Sequence, residues 1–233
     1  MLYRAGALKI WQFPATEMWQ SVAAAPALPN TGVHVWLCPL SEDPQLTQLL
    51  SDEEKARAAN MEPEIKASEF ALARGWLRVL LAAYVNAAEP LSIRLGIAEN
   101  GKPFALDYPA LHFNLSHSYE WMALAVSPQQ VGIDIEKLRP VPDWRNLAEG
   151  LLTNLGVEEI ANQPEADQAA AFLRQFTARE AYLKAAGTGL SHTTIMLERD
   201  FHTIAMENQS YGPTVPLPEM TGYVGQLCCL TKS

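Results

Sequence analysis

Cysteine is scarce: Cys38, Cys228 and Cys229 are the only three among 233 residues. Three cysteines make no disulfide framework. The adjacent pair lacks the two-residue spacer that zinc ligation favours, and no histidine lies near it. All three read as buried apolar residues. Basic side chains are also few, 17 Lys and Arg against 26 acidic residues, for a net charge of −9. A broad nucleic-acid-binding surface needs a basic stripe, so that class is excluded, whereas a small basic pocket for one phosphorylated ligand is not. No apolar run approaches the ~20 residues of a membrane helix. Trp11, Gln12 and Glu17 interrupt any signal-peptide core. The chain is therefore expected to be cytoplasmic, to engage neither membrane nor nucleic acid, and to act as a monomer. What remains is 48% hydrophobic and 18% charged, an ordinary globular composition. A chain this long buries roughly 70–75% of its unfolded surface and needs no staples.

Hydrophobic periodicity divides the chain into alternating short strands and two long helices. Residues 1–30 hold three prolines and no clear period, and read as a surface-packed extension. Val33, Val35 and Leu37 alternate as a strand. Ser51-Asp52-Glu53-Glu54 has the form of a capping box opening a short helix through Ala59. After Pro63 a longer helix runs to about Ala87, with Phe70, Ala73, Leu77, Leu80, Leu81 and Tyr84 on one face and Arg74 and Arg78 on an adjacent one. Leu91, Ile93, Leu95 and Ile97 alternate up to Asn100-Gly101, a type I′ hairpin signal. Strands follow at Leu111–Leu115, Trp121–Val126 and Val131–Ile135, then a helix over Ala166–Ala186 capped by Gly187, then strands at Thr194–Glu198 and Tyr223–Leu230. Consecutive short strands beside long helices predict an α+β fold with mainly antiparallel sheet. The order recurs loosely, which suggests two halves dividing near Ser127-Pro128.

Four segments carry candidate chemistry. In Val131-Gly132-Ile133-Asp134-Ile135-Glu136, alternation sends the aliphatic side chains one way and both carboxylates the other. Their Cα atoms then lie roughly 6.5 Å apart, a spacing that can hold one hard cation. Gly132, on the same face, leaves room for a ligand to approach. Taken alone, the segment is equally a half-buried strand with a solvated acidic face. Glu180 and Lys184, four apart on a helix, can be a surface ion pair worth roughly 0.3–0.5 kcal/mol. Their apolar surroundings instead ask for a partner or a job, and a third carboxylate meeting Asp134 and Glu136 would complete a magnesium site. Phe113-Asn114-Leu115-Ser116-His117-Ser118 sets a polar cluster between apolar strands, and Asn100-Gly101-Lys102-Pro103 sets a lysine just beyond a turn.

Taken in order, Gly101-Lys102-Pro103, Phe113 to Ser118, Gly132 to Glu136 and Arg179-Glu180-Ala181-Tyr182-Leu183-Lys184-Ala185-Ala186-Gly187 resemble the 4′-phosphopantetheinyl transferases of the surfactin-synthetase type, over roughly residues 33–200. The resemblance implies two similar α+β subdomains related by a pseudo-twofold, with the active site between them. Residues 1–127 would be the coenzyme A side and 128–233 the metal and carrier-protein side. It implies that Asp134, Glu136 and Glu180 bind Mg²⁺, and that Arg57, Arg74, Lys102, Pro103, Ser116, His117, Asp134 and Lys184 form the coenzyme A site. Glu180, Lys184 and His117 would act in catalysis, and the partner would be an apo acyl or peptidyl carrier protein. Lys137-Leu138-Arg139 is a candidate docking segment. The sequence departs from the family pattern at Phe176, where tryptophan is usual, and at Arg179, where lysine is usual. Glu62, Glu64 and Glu69 stand in a stretch where aromatics and arginines are common. Two rival readings are a metal-dependent hydrolase of coenzyme A or nucleotide diphosphates, and a non-enzymatic relative that binds coenzyme A or carrier.

Overall fold

The computed structural model describes residues 8–12, 32–187, 215–217 and 221–230. In chain order its elements are β1 (Leu8–Gln12), β2 (Val33–Pro39), α1 (Pro44–Thr47), α2 (Asp52–Ala59), α3 (Glu64–Val85), β3 (Leu95–Ile97), β4 (Pro103–Ala105), β5 (His112–Ser118), β6 (Trp121–Ser127), β7 (Val131–Lys137), α4 (Trp144–Leu151), α5 (Asn154–Ala161), α6 (Glu165–Ala186), β8 (Val215–Pro216) and β9 (Tyr223–Cys229). The fold is α+β, as the patterning predicts. The expected strand at Thr194–Glu198 lies outside the described residues.

Two sheets stack face to face. The first has the order β1-β2-β6-β5 and the second β7-β9-β8, while β3 and β4 form a separate hairpin. Alternation decides what each face meets. Val33, Val35, Leu37, Ala123 and Ala125 of the first sheet pack on Val131, Ile133, Ile135, Leu227 and Cys229 of the second. On its other face the first sheet sends Trp36, Cys38, Phe113, Met122, Leu124 and Val126 against α3. The second sheet turns Cys228 to Ala181 and Ala185 of α6. The layers therefore run α3, sheet, sheet, α6. All three cysteines are free and buried, as expected.

Local chemistry explains most element ends. The Ser51 and Glu54 capping box is formed, with Glu54 N donating to Ser51 Oγ and Ser51 N donating to Glu54 Oε2. Gly187 ends α6 in the left-handed region at φ 69°, where a Cβ would be strained. Three readings of the sequence need correction. Part of the N-terminal extension is a strand, since β1 pairs in parallel with β2 from Leu8↔Val33 to Gln12↔Leu37. The strand expected from Leu91 starts only at Leu95, because Pro90–Ser92 form a 3₁₀ turn in which proline needs no donor. The turn at Asn100-Gly101 is not type I′, because Gly101 alone has positive φ there (82°). Gly101 N donates to Ala98 O and Ala98 N to Lys102 O, the pattern of a type I turn closed by a glycine bulge. Sequence patterning did not reveal α4 and α5, two short helices that pack on α6 through Trp144, Ala148, Val157 and Ile160.

Candidate functional site

A cleft of about 390 Å³ opens where α2, α3, the β3–β4 hairpin, the edge strand β5 and α6 converge. Arg57, Phe70 and Arg74 line it from α2 and α3, and Asn100, Gly101, Lys102 and Pro103 from the hairpin. Asn114, Leu115 and His117 come from β5, and Glu180, Leu183 and Lys184 from α6. Residues far apart in the chain thus meet, three of the four motif segments among them, and four of the lining side chains are Lys or Arg. Both arginines stack on Phe70, with guanidinium carbons 5.1 Å (Arg57) and 5.2 Å (Arg74) from the ring centre. Stacking holds a guanidinium without using up its donors. Arg74 is buried against Glu54 at 3.7 Å, yet its Nη1 has no hydrogen-bond partner. Glu54 also takes Arg78 Nη2 at 2.9 Å, so one capping residue anchors both arginines of α3.

His117 stands between Glu69, 3.8 Å from its Nδ1, and the cleft. Burial pushes its pKa down, and this outweighs the opposing pull of Glu69. Lys102 reaches across to the second half of the chain, where its ammonium donates to Lys184 O at 2.7 Å and Val131 O at 3.0 Å. Burial pulls its pKa down to about 8. Lys184 O belongs to the last turn of α6, so this lysine caps the negative end of that helix. Asn100 bonds Gly187 O beside it. The hairpin lysine therefore has a structural role that the sequence did not disclose, in addition to lining the cleft.

The carboxylates lie along the junction of β7 with α6. Asp134 accepts from Lys184 Nζ at 2.5 Å and from Ser116 Oγ at 2.8 Å. Glu136 accepts from Ser118 Oγ at 2.9 Å, and Glu180 from Arg179 Nη1 at 2.8 Å. The alternative of a Glu180–Lys184 surface pair gives way to Lys184–Asp134, because α6 presents Lys184 to the strand rather than back along its own face. Each carboxylate has its own protein partner, and among the described residues no three acidic, histidine or cysteine side chains stand as a ready-made metal cluster. They nonetheless feel one another. Burial first and the Asp134 charge as well raise the pKa of Glu180, and burial with a smaller push from Asp134 raises that of Glu136. Asp134 Oδ2 is buried without a hydrogen-bond partner. Hard oxygens that repel one another, one of them unpartnered, are donors of the type a divalent cation such as Mg²⁺ takes, and such an ion would have to draw the three carboxylates closer together.

Two sequence expectations change here. Ser116 does not line the cleft. It is 6% exposed and faces β7, where its hydroxyl accepts from Ile135 N at 3.3 Å while donating to Asp134. The space at Gly132 serves the fold rather than a ligand. A Cβ there would lie 2.0 Å from Ala181 O and 2.3 Å from Ala185 N, so glycine is what lets α6 lie directly on β7. The sequence reading also missed Ser118, and the alternation that groups it with Asn114 and Ser116 was the available signal.

A cleft lined by four Lys and Arg side chains and by Glu180 has the chemistry that suits a phosphorylated ligand. Comparison with known proteins narrows that class. A family model described as the 4′-phosphopantetheinyl transferase superfamily matches residues 130–218. The 4′-phosphopantetheinyl transferase HetI of Nostoc sp. is 36% identical over 167 residues, covering 68% of this chain and 70% of that protein. The 4′-phosphopantetheinyl transferase AcpT of Salmonella typhimurium is 43% identical over 117 residues, 48% of this chain and 58% of its own length. The 4′-phosphopantetheinyl transferase Sfp of Bacillus subtilis is 33% identical over 99 residues, 42% of this chain and 43% of its own. The chain belongs to the 4′-phosphopantetheinyl transferase superfamily.

Proposed function

We propose that the protein transfers the 4′-phosphopantetheine moiety of coenzyme A to a serine of an apo acyl or peptidyl carrier protein, in a magnesium-dependent reaction that releases 3′,5′-ADP. The observation that carries this reading is the convergence of Arg57, Arg74, Lys102, His117 and Lys184 on one cleft that Glu180 also lines. In this reading residues 1–127 supply most of the coenzyme site and residues 128–233 the carboxylates and the carrier side, including Lys137-Leu138-Arg139.

The reaction is one in-line displacement. The carrier serine oxygen bonds to the β-phosphorus as the bond from that phosphorus to the bridging oxygen breaks, and the pair of electrons leaves with 3′,5′-ADP. Lys184 and Lys102 balance charge on the transferring and leaving phosphates. Glu180, which lines the cleft, takes the serine proton directly or through one water. His117 donates a hydrogen bond to the coenzyme, and Arg57 and Arg74 meet its remaining phosphate. Mg²⁺ held by Asp134, Glu136 and Glu180 would neutralise the diphosphate. Lys184 would then share or release Asp134, which would leave its ammonium available to phosphate.

Incubation with coenzyme A, Mg²⁺ and an apo-carrier domain, followed by mass spectrometry of the carrier, tests the reading. A gain of one phosphopantetheine is expected. An unmodified carrier with free pantetheine phosphate would mean hydrolysis, and intact coenzyme A would mean a binding protein.

A further inference from the structure

We propose that Ser118 is a positioning residue for Glu136, fixing the orientation in which that carboxylate meets a metal ion. The inference rests on the magnesium reading above. Ser118 is 7% exposed at the end of β5. A serine hydroxyl has one proton to give and lone pairs to offer. Lys137 N donates to its oxygen at 3.2 Å, and its proton goes to Glu136 Oε2 at 2.9 Å. The backbone amide thus orients the hydroxyl, and the hydroxyl orients the carboxylate. Ser116 makes the same relay two residues earlier, between Ile135 N and Asp134. The two cases differ in one respect. Asp134 is also held by Lys184, whereas among the described residues Ser118 is the only hydrogen-bond partner of the Glu136 carboxylate.

The donor itself is held independently of Glu136. The next residue, Tyr119, takes a left-handed φ of 52°, which a non-glycine residue adopts only where its surroundings compel it. The two-residue hairpin turn that Tyr119 opens, between the paired Ser118 and Trp121, itself requires that sign of φ, and side chains fasten the turn to the strand that carries Glu136. Lys137 Nζ sits 4.7 Å from the Tyr119 ring centre and bonds both carboxylate oxygens of Glu120 at 2.7 and 2.9 Å. Tyr223 on the neighbouring strand donates to Glu120 at 2.5 Å. The β5–β6 turn is therefore clamped to the residue after Glu136, and Ser118 is pre-set before any ligand arrives. Residues that orient metal-binding carboxylates typically change metal affinity 10–100-fold when removed.

Mn²⁺ binding, read from the electron paramagnetic resonance of the free ion with coenzyme A present, tests this without recourse to turnover. Ser118→Ala is expected to weaken Mn²⁺ about tenfold, with coenzyme A affinity in the absence of metal unchanged. Ser118→Thr, which keeps the hydroxyl, should restore binding to near wild type. Ser118→Cys, near-isosteric but a poor donor, should behave like alanine and substitutes for it if the alanine variant does not fold. In a Glu136→Gln background the serine substitution should cost nothing further, since coupled residues are not additive. Undiminished Mn²⁺ affinity in Ser118→Ala, or an equal loss in the Glu136→Gln background, overturns the positioning role alone. Wild-type and Glu136→Gln proteins that both fail to bind Mn²⁺ overturn the metal reading beneath it.

Discussion

Lys102 shows how much a single side chain can carry across the molecule. Its ammonium closes the end of α6 by bonding Lys184 O, ties that end to β7 through Val131 O, and also borders the basic cleft. With its pKa drawn down to about 8, it is charged below that pH and neutral above it. Coenzyme A affinity should therefore fall as pH rises through about 8 and beyond, the bound phosphate delaying the loss by favouring the charged form. Lys102→Arg, which stays protonated, should bind equally well across that window in calorimetric titrations. A wild-type affinity independent of pH would put the ammonium out of reach of the phosphates. Glu180 offers a second test. Glu180→Gln should lose most turnover, because on the proposed mechanism it removes a proton acceptor and a metal ligand together. Arg179 is only 2% exposed and Glu180 is its one hydrogen-bond partner among the described residues, so a buried charge loses its counter-ion. Even with an amide oxygen still accepting, the melting temperature should drop by several degrees, given roughly 2–4 °C per kcal/mol at this chain length. Near-normal turnover would reduce Glu180 to a partner of Arg179.

At the scale of elements, the contact between β7 and α6 brings the acidic and basic residues of the site together. Asp134 and Glu136 share the strand face that α6 covers, and Lys184 reaches Asp134 across it. Gly132 sets the distance between them. Gly132→Ala would drive a methyl into two backbone atoms of α6, which cannot move aside as a flexible side chain can. Overpacking of this kind costs about 1–3 kcal/mol, and shifting the helix separates Lys184 and Glu180 from the strand carboxylates. We expect a lower urea midpoint and reduced kcat together. Retained stability with lost activity would mean that Gly132 borders the ligand after all.

Across the whole molecule, the two sheets are joined at their edges by side chains as well as by the core. β5 is an edge of one sheet and β7 an edge of the other. The amides of Ile133, Ile135 and Lys137 on β7 find their acceptors on Asn114, Ser116 and Ser118 of β5. A polar side-chain ladder thus does for two sheets what backbone pairing does within one, and it keeps a buried edge from carrying unsatisfied donors. Asn114→Ala would orphan the buried Ile133 amide at a cost of about 1–3 kcal/mol. Its signature should be a fall in thermal stability with a far smaller change in the coenzyme A dissociation constant than Lys102→Ala produces. Equal effects on both measurements would instead assign Asn114 to the ligand.

The sequence by itself determined the α+β class, the capping box at Ser51, the glycine end of α6, and the shared face of Asp134 and Glu136. All of these are local: a period of two or 3.6, a cap, a spacing. Only the tertiary structure decided which partner each polar group takes. Lys184 turns to Asp134 rather than to Glu180, Ser116 turns to β7 rather than to the cleft, Gly132 yields its space to a helix, and Lys102 spans residues far apart in the chain. Periodicity fixes the direction of a side chain relative to its own element. What lies in that direction depends on how distant elements pack, and a hydrogen bond selects among partners only once that packing exists.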